Sequence, residues 1–323
     1  MERFFYFHSQ INYVPHGTNQ SAILNCSMWN INKIILIHQE LLKNSTELYL
    51  QTKDHSLTKE EFSLIVNKEF DLLITEPLPE RLEKYYEFDE YISHTDNNKS
   101  LIDKVYQLVR NYTLKKKLKL INSQNTDTKN ILDIGCGTGD FLSTCSKNKW
   151  KAIGVEPNQK ARDISKTKNL VVKEKLEEII EIGEQYDIIT LWHVLEHVPN
   201  LIEYIHQLKS LLKDNGTLII AVPNYKSFDA QHYHTNWAAY DVPRHLWHFS
   251  KTSVHKLFSA FEINLVKTLP MKFDSFYVSL LSEKYKTGKM NPIKAFYIGL
   301  KSNLKARKTK EYSSHIYLLK KAI

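Results

Sequence analysis

The sequence predicts an α/β fold with a doubly wound, mostly parallel sheet, and two observations lead to this prediction. From about residue 130, short apolar runs alternate with amphipathic stretches of helical length, an order that places helices on both faces of a parallel sheet. At the first junction between strand and helix, residues 133–141 read DIGCGTGDF. Glycines spaced in this way let the backbone pass close to a ligand, and ligands of open parallel sheets bind at this edge.

Seven strands are predicted from apolar runs bounded by glycine, proline or polar residues. In chain order they are KNILDIG, KAIGVEP, NLVVKE, YDIITLWHV, GTLIIAVP, FEINLVKTLPM and SSHIYLLKKA. Helices are predicted between them, and in KTSVHKLFSAF the preceding Ser250 is expected to cap the first turn. Asn215-Gly216 is expected to end the helix before the fifth strand.

Two further helices are predicted from apolar periodicity. In residues 101–121 the apolar positions at helical spacing are Leu101, Val105, Leu108 and Tyr112, and this helix is expected to pack beside the first strand. In residues 291–308 the apolar stripe consists of Ile293, Phe296, Tyr297, Leu300 and Leu304. Because such a stripe needs burial, the second helix is expected to pack on the domain or to form a lid, with a membrane-surface helix as the alternative.

Composition indicates an ordinary globular protein. The chain has 323 residues, of which 42% are hydrophobic and 25% charged. It has no uninterrupted apolar run long enough to cross a bilayer, and its N-terminus does not resemble a signal peptide. The cysteines Cys26, Cys136 and Cys145 are too few for a disulfide framework, so a cytoplasmic location is expected.

The net charge of +8 is concentrated at the C-terminal end. Residues 283–323 contain eleven Lys or Arg and two acidic residues, a net +9 for that segment. A basic segment of this kind can contact an anionic membrane or RNA, although a solvated lysine-rich helix face accounts for it equally simply.

The residues around the glycine loop distinguish between possible ligands. Glu156, at the end of the second strand, can accept two hydrogen bonds from a ribose diol. A dinucleotide fingerprint requires glycine at position 140, where this chain has Asp140, and a P-loop lysine is absent. An acid at the start of a helix opposes a pyrophosphate and suits an ammonium group. The predicted ligand therefore has a ribose and an amino-acid end rather than phosphates.

Four segments in order resemble the class I S-adenosylmethionine-dependent methyltransferases: ILDIGCGTGDF, GVEPN, YDIITLWHVLEHVPN and NGTLIIAVPN. The resemblance covers roughly residues 100–323 and implies a Rossmann-like sheet of order 3-2-1-4-5-7-6 with an antiparallel last strand. It also implies S-adenosyl-L-methionine as cofactor. The cofactor-binding residues that it implies are Asp133, Gly135, Cys136, Gly137, Gly139, Glu156, Pro157, Trp192 and His193.

A closer subgroup is indicated by WAAYDVPRHLWHFS, which resembles a bacterial branch with an N-terminal zinc ribbon before the methyltransferase domain. The ribbon is degenerate here, because Asn67-Lys68-Glu69-Phe70 stands in place of the second C-x-x-C and the first pair corresponds to Cys26 and Trp29. One cysteine of four cannot close a structural zinc site. We therefore expect a module without zinc over residues 1–95, and a methyltransferase domain over residues 96–323 with a helical insert at about 272–311.

The stretch after the fifth strand carries the candidate catalytic residues. It emerges at the ligand edge of the sheet and contains four histidines: His232, His234, His245 and His248. His245 is the candidate general base, Arg244 a candidate contact for an acidic substrate group, and His193 a third candidate beside the cofactor. No metal is predicted, because no carboxylate or cysteine completes the closely spaced histidine pairs at a recognised spacing.

The sequence thus predicts a methyltransferase for a small-molecule or glycan- or lipid-linked acceptor, with oxygen as the expected acceptor atom. RNA or protein methylation, or a cofactor-binding scaffold without turnover, remain alternatives. The residues do not indicate an oligomeric state.

Overall fold

The computed structural model describes residues 36–37, 41, 45–79, 81–86, 101–124 and 126–322. The chain divides into two compact units, Met1–Glu40 and Leu41–Ile323, and every feature discussed below belongs to the second. Cys26 and Trp29, on which the degenerate zinc ribbon was inferred, lie outside the described residues.

Within the described residues we number eleven strands and nine α-helices. The strands are β1 (Ser45–Lys53), β2 (Glu61–Asn67), β3 (Leu72–Glu76), β4 (Asn130–Ile134), β5 (Lys151–Val155), β6 (Val171–Lys173), β7 (Tyr186–Trp192), β8 (Leu212–Pro223), β9 (Trp247–His248), β10 (Ile263–Pro270) and β11 (Ser314–Lys321). The helices are α1 (Leu101–Asn122), α2 (Asp140–Lys147), α3 (Gln159–Thr167), α4 (Leu176–Ile182), α5 (Leu201–Leu211), α6 (Phe228–Tyr233), α7 (Lys251–Ser259), α8 (Asp274–Thr287) and α9 (Pro292–Thr309).

The large sheet has seven strands in the order β6-β5-β4-β7-β8-β11-β10. The strands β4 to β8 pair in parallel, whereas β11 is antiparallel to both β8 and β10. This is the predicted order 3-2-1-4-5-7-6, with β4 as strand one and the last strand antiparallel, so the fold prediction is confirmed. Its central strands β7 and β8 are buried along most of their length and rich in Ile, Leu and Val, as burial on both faces of a parallel sheet favours.

A small antiparallel sheet has the order β1-β2-β3-β9. Its fourth strand is only two residues long and comes from the loop after β8. Beside it, the Thr75 N–H donates to the Leu246 carbonyl at 3.0 Å, and the Thr75 hydroxyl donates to the His245 carbonyl at 2.7 Å. The small sheet therefore holds the loop that carries Arg244 and His245.

Local sequence accounts for the helix starts next to these sheets. Ser250 accepts a hydrogen bond from the Ser253 N–H at 3.0 Å, as predicted for the cap of α7. Asn291 caps α9 in the same way, with Pro292 in its first turn. Helices α8 and α9 form the insert. A Cβ on Gly299 of α9 would lie 2.7 Å from the Phe276 ring of α8, so glycine at this position lets the two helices approach closely.

The apolar stripe on α9 is exposed, which contradicts the expectation that it would be buried. Ile293 is 86% exposed and Phe296 60%, and Tyr297 and Leu304 are also exposed. The buried face of α9 instead consists of Ala295, Ile298, Gly299, Ser302 and Ala306. Small residues let this face approach α8 closely, which leaves the large residues on the outside. Among the described residues, the structure contains no helix with the length and apolar character needed to span a bilayer.

Candidate active site

The glycine loop follows β4 and enters α2. Gly135, Gly137 and Gly139 all have positive φ angles, of +67°, +55° and +80°. A Cβ on Gly135 would lie 2.3 Å from Val194 Cγ2, so this glycine is needed for packing. A Cβ on Gly137 would meet no described atom within 4 Å. Gly137 therefore faces open space, as a loop that bends around a ligand requires.

Glu156 lies directly after β5, beside this loop, and is almost completely buried. Its Oε2 accepts from the Gly137 N–H at 2.9 Å, and its Oε1 accepts from the Asn158 N–H at 2.9 Å. Each carboxylate oxygen has a second lone pair, so the group can still accept hydrogen bonds from a ligand. The predicted ribose-binding acid is thus fixed in place by the loop that it borders.

Asp133, Cys136 and Pro157 complete the surroundings of the loop. Asp133 is buried at the end of β4, where its Oδ1 accepts a hydrogen bond from the Thr190 hydroxyl at 2.6 Å. Burial raises the pKa of Asp133 to about 6, although the hydrogen bond from Thr190 acts to lower it. The Cys136 thiol is buried against Gly154 of β5. Pro157 is exposed beyond Glu156. All three border the glycine loop, and their contacts with the cofactor stay predictions.

Asp140, which the sequence predicts to suit an ammonium group, forms ion pairs with two side chains. Its carboxylate pairs with the Arg110 guanidinium, and its Oδ1 lies 2.8 Å from Lys168 Nζ. These two ion pairs connect α1, α2 and the end of α3, and contact of Asp140 with an ammonium group stays a prediction.

Lys117 is a candidate that sequence reasoning missed. Its Nζ lies 4.1 Å from the centroid of the Trp192 ring and 5.6 Å from that of Phe141. The described residues give it no hydrogen-bond or ion-pair partner, and burial lowers its pKa to about 8 against the attraction of Asp133 and Asp274. The Trp192 indole N–H is also buried and unpartnered within the described structure. These groups lie beside the glycine loop and are suited to bind an anion such as a carboxylate.

A cleft of about 1140 Å³ opens next to the C-terminal end of β7. One wall comes from the β1–β3 region, including His55 and Tyr85, and another from the insert, including Tyr277 and Tyr285. The floor carries all three predicted catalytic residues, His193, Arg244 and His245. The fold thus brings together groups that lie more than fifty positions apart in the sequence.

His193 directly follows β7 with a φ angle of +57°. Its Nε2 lies 3.1 Å from Asp274 Oδ2, and its Nδ1 lies 3.4 Å from Glu196 Oε1. Burial disfavours the charged ring, but the two carboxylates outweigh it and raise the pKa of His193 to about 10. His193 is therefore a cation at neutral pH.

His245 has a different environment. Its Nδ1 lies 2.9 Å from the Ala239 carbonyl oxygen, which can only accept, so Nδ1 is the donor, and its Nε2 lies 4.0 Å from Asp241 Oδ2. The His197 ring stands edge-on to it, with ring centroids 4.5 Å apart, and burial lowers the pKa of His197 to about 4. His245 Nε2 is therefore the ring nitrogen available to a ligand in the cleft.

Arg244 lines the cleft, but its guanidinium is buried in a network of its own. It lies 2.9 Å from Asp54 Oδ1 and 2.7 Å from Asp241 Oδ1, and it also donates to the Ser56 hydroxyl. Although burial opposes the shift, the hydrogen bond from Arg244 holds the pKa of Asp54 below its usual range. Arg244 thus joins the β1–β2 turn to the loop that carries His245.

Two other histidines of the predicted stretch have partners outside this group, although the ring centroids of His248 and His245 are only 6.5 Å apart. His248 Nε2 lies 2.9 Å from the Thr75 hydroxyl within the small sheet, and His232 stacks on Phe228. In the described part of the chain, the grouping with metal-ligand geometry is instead Glu196, His197 and His245, whose ligand atoms all lie within 4.8 Å of one another.

Comparisons with known proteins show what the chain is similar to. A methyltransferase-domain profile matches residues 106–268. The ubiquinone biosynthesis O-methyltransferase of Histophilus somni is 32% identical over 108 residues, which are 30% of this chain and 45% of that protein. The protein of the same name from Bradyrhizobium diazoefficiens is 30% identical over 106 residues, 30% of this chain and 42% of that one. The match thus spans less than half the length of either relative.

Among solved structures, the magnesium protoporphyrin IX methyltransferase of Synechocystis with bound SAH is 13% identical, with a TM-score of 0.47. The match covers 74% of this chain and 94% of that one. The domain match, by contrast, extends over half of the present chain and includes the glycine loop, Glu156 and β7. On this basis the chain belongs to the S-adenosylmethionine-dependent methyltransferase family.

Proposed function

We propose that this protein transfers a methyl group from S-adenosylmethionine to a hydroxyl oxygen of a small-molecule or glycan- or lipid-linked acceptor. The observation that carries the proposal is the cleft of about 1140 Å³, which is lined both by His193 at the end of β7 and by His245. The volume suits a small-molecule ligand. The printed name of the two curated relatives, an O-methyltransferase, supports oxygen as the acceptor atom.

The residues near the glycine loop fit the cofactor. Glu156 would bind the ribose hydroxyls, the open side of Gly137 would leave room for the cofactor, and Lys117 would attract its carboxylate. When bound, the cofactor supplies a sulfonium methyl group together with its leaving group. The protein then has to hold the acceptor oxygen close to the methyl group and in line with it.

In the cleft, His245 would accept the proton of the acceptor hydroxyl through Nε2. His193, held as a cation between Asp274 and Glu196, would stabilise negative charge that develops on the acceptor oxygen. Arg244 would position the His245 loop, because its guanidinium is already paired with Asp54 and Asp241. In this proposal the turn after β1, together with Tyr85, supplies one wall of the acceptor site. Contact of residues 283–323 with RNA or an anionic membrane stays a prediction.

Replacing His245 with Ala tests the proposed base. We expect turnover to fall about 100-fold or more, the usual contribution of a positioned base, while cofactor affinity stays unchanged. The measurement is transfer from labelled S-adenosylmethionine to a panel of phenols, catechols and sugar alcohols, with calorimetry of cofactor binding alongside. His255→Ala, on the exposed side of α7, is the matched control. Equal turnover in H245A and wild type would rule out His245 as the base.

Lys117 makes cofactor binding sensitive to alkaline pH. Its ammonium form attracts the carboxylate, so affinity is highest below the pKa of about 8 and falls as the pH rises through that value. We expect Lys117→Met to bind S-adenosylhomocysteine about tenfold more weakly at neutral pH, the loss of one charge-assisted hydrogen bond. The variant should also lack the step in affinity near pH 8.

Calorimetric titrations across this pH range provide the measurement, and Lys119→Met, on the exposed side of α1, is the control. A K117M variant that keeps the wild-type pH step would assign that step to the amino group of the ligand rather than to Lys117.

A further inference from the structure

Three side chains on the floor of the cleft form a group that the proposed methyl transfer does not fully use. Glu196 and His197 lie in the short turn after β7, and His245 lies in the loop after β8. A backbone hydrogen bond from the Leu246 N–H to the Glu196 carbonyl, at 2.8 Å, joins the two segments. One ligand atom from each of the three residues lies within 4.8 Å of the others.

Both histidines are held with Nε2 available. His245 donates from Nδ1 to the Ala239 carbonyl at 2.9 Å, and His197 has its Nδ1 3.0 Å from the Arg244 carbonyl. The Tyr86 hydroxyl also lies 3.0 Å from His197 Nδ1. Carbonyl oxygens can only accept, so Nδ1 is the donor in each ring, and in the neutral tautomer Nε2 is the nitrogen that can ligate. Metal-ligating histidines are typically oriented by this kind of outer hydrogen bond.

Glu196 provides the independent observation. It is only 1% exposed, and neither of its carboxylate oxygens has a hydrogen-bond partner in the described part of the chain. Its nearest charged neighbour is His193 Nδ1, at 3.4 Å. The His193 ring balances the charge of Glu196 from the Oε1 side, but Oε2 is a buried polar atom without a hydrogen bond from any described residue, which is costly unless a ligand meets it. The Glu196 carboxylate belongs to the same group as the imidazole rings of His197 and His245.

We propose that Glu196, His197 and His245 bind a divalent transition-metal ion. Two imidazoles and one carboxylate are a ligand set for Zn²⁺ or for non-haem metals such as Fe²⁺ and Co²⁺, and three protein ligands leave a coordination position free. All three residues line the cleft, so the free position faces the space where the acceptor would bind. The sequence did not predict this site because spacing pairs His245 with His248 and offers no carboxylate, whereas the fold supplies Glu196.

The site rests on these side chains and does not require the proposed function, although it would alter how His245 acts. With the metal bound, the Nε2 lone pair of His245 coordinates the ion and is not free to take a proton. An acceptor hydroxyl in the open position would then lose its proton more readily, because a bound cation lowers the pKa of a coordinated hydroxyl. Loss of turnover in H245A fits both roles, so the test must measure metal binding itself.

The experiment titrates the full chain, freed of metal by chelation, with Zn²⁺ alone in a calorimeter. We expect one site whose affinity falls more than about 100-fold in Glu196→Gln and in His245→Ala, since even outer-shell changes cost 10- to 100-fold. His255→Ala and the buried Glu283→Gln, which lies outside the group, are the matched controls and should bind as wild type does. Co²⁺ titration should produce visible absorption bands in wild type that are absent from both ligand variants.

If E196Q and H245A bind zinc with unchanged affinity, the ion lies elsewhere in the chain and the proposal is wrong. The proposal is also wrong if the wild-type protein does not bind zinc. Circular dichroism of each variant checks folding. If H245A does not fold, E196Q decides the outcome, because Gln keeps the volume of Glu and removes only the charge. Because none of these measurements uses the acceptor, their failure is separate from failure of the methyl-transfer proposal.

Discussion

Replacing Glu156 with Gln is expected to weaken S-adenosylmethionine binding about 100-fold or more. Two hydrogen bonds from the ribose to a charged acceptor contribute about 3 kcal/mol or more together, and the neutral amide cannot accept at its nitrogen. The same change also disturbs the loop, because both carboxylate oxygens already accept from the Gly137 and Asn158 N–H groups. Calorimetry with S-adenosylhomocysteine measures the effect.

Glu177→Gln is the control for this variant, since Glu177 is an exposed acid on α4. Thermal unfolding without ligand separates loss of affinity from loss of structure. Wild-type affinity in E156Q would show that the ribose is bound elsewhere and would remove the main residue from the proposed cofactor site.

Replacing Arg244 with Ala is expected to destabilise the fold by about 3–5 kcal/mol, the usual cost of breaking a buried ion pair by removing one partner. Asp54 and Asp241 would then be left beside each other without their cation, and Asp54 is completely buried. The measurement is the free energy of unfolding in urea. Arg307→Ala, on the exposed side of α9, is expected to change it by less than about 0.5 kcal/mol.

A double variant, Asp54→Asn with Arg244→Met, should recover part of the lost stability, because it removes charge from both sides of the pair. If R244A instead keeps wild-type stability and loses only acceptor affinity, the side chain contacts the acceptor directly, as its sequence context predicts.

Strand and helix order could be predicted because it depends on periodicity alone. Which face of a helix is buried could not. In α1, Leu108 and Tyr112 were expected to face the core but are exposed, whereas Ile121 is fully buried. In α9 the large apolar residues are exposed and the small ones buried. Apolar spacing marks a face that gains from burial, but the partner surface decides which face fits.

The candidate site divides in the same way. Glu156 and the glycines could be proposed from the sequence because each lies in a short motif at the end of a predicted strand. Lys117 was not, because in the sequence it is one of several lysines on α1 and only the fold shows it against Trp192. Glu196 and His245 lie close together because two loops about fifty positions apart in the sequence come together in the fold, and no local sequence pattern predicts this contact.

Through the hydrogen bonds between Thr75 and the loop of His245, the small sheet holds the backbone of that loop. A molecule that binds the outer strands of that sheet and displaces Thr75 would also displace the backbone of His245, without entering the cleft. Such a molecule would act as an allosteric inhibitor or activator. For the same reason, a fragment that begins at residue 96 would lose β3, the strand that pairs with β9, and with it the support of this loop.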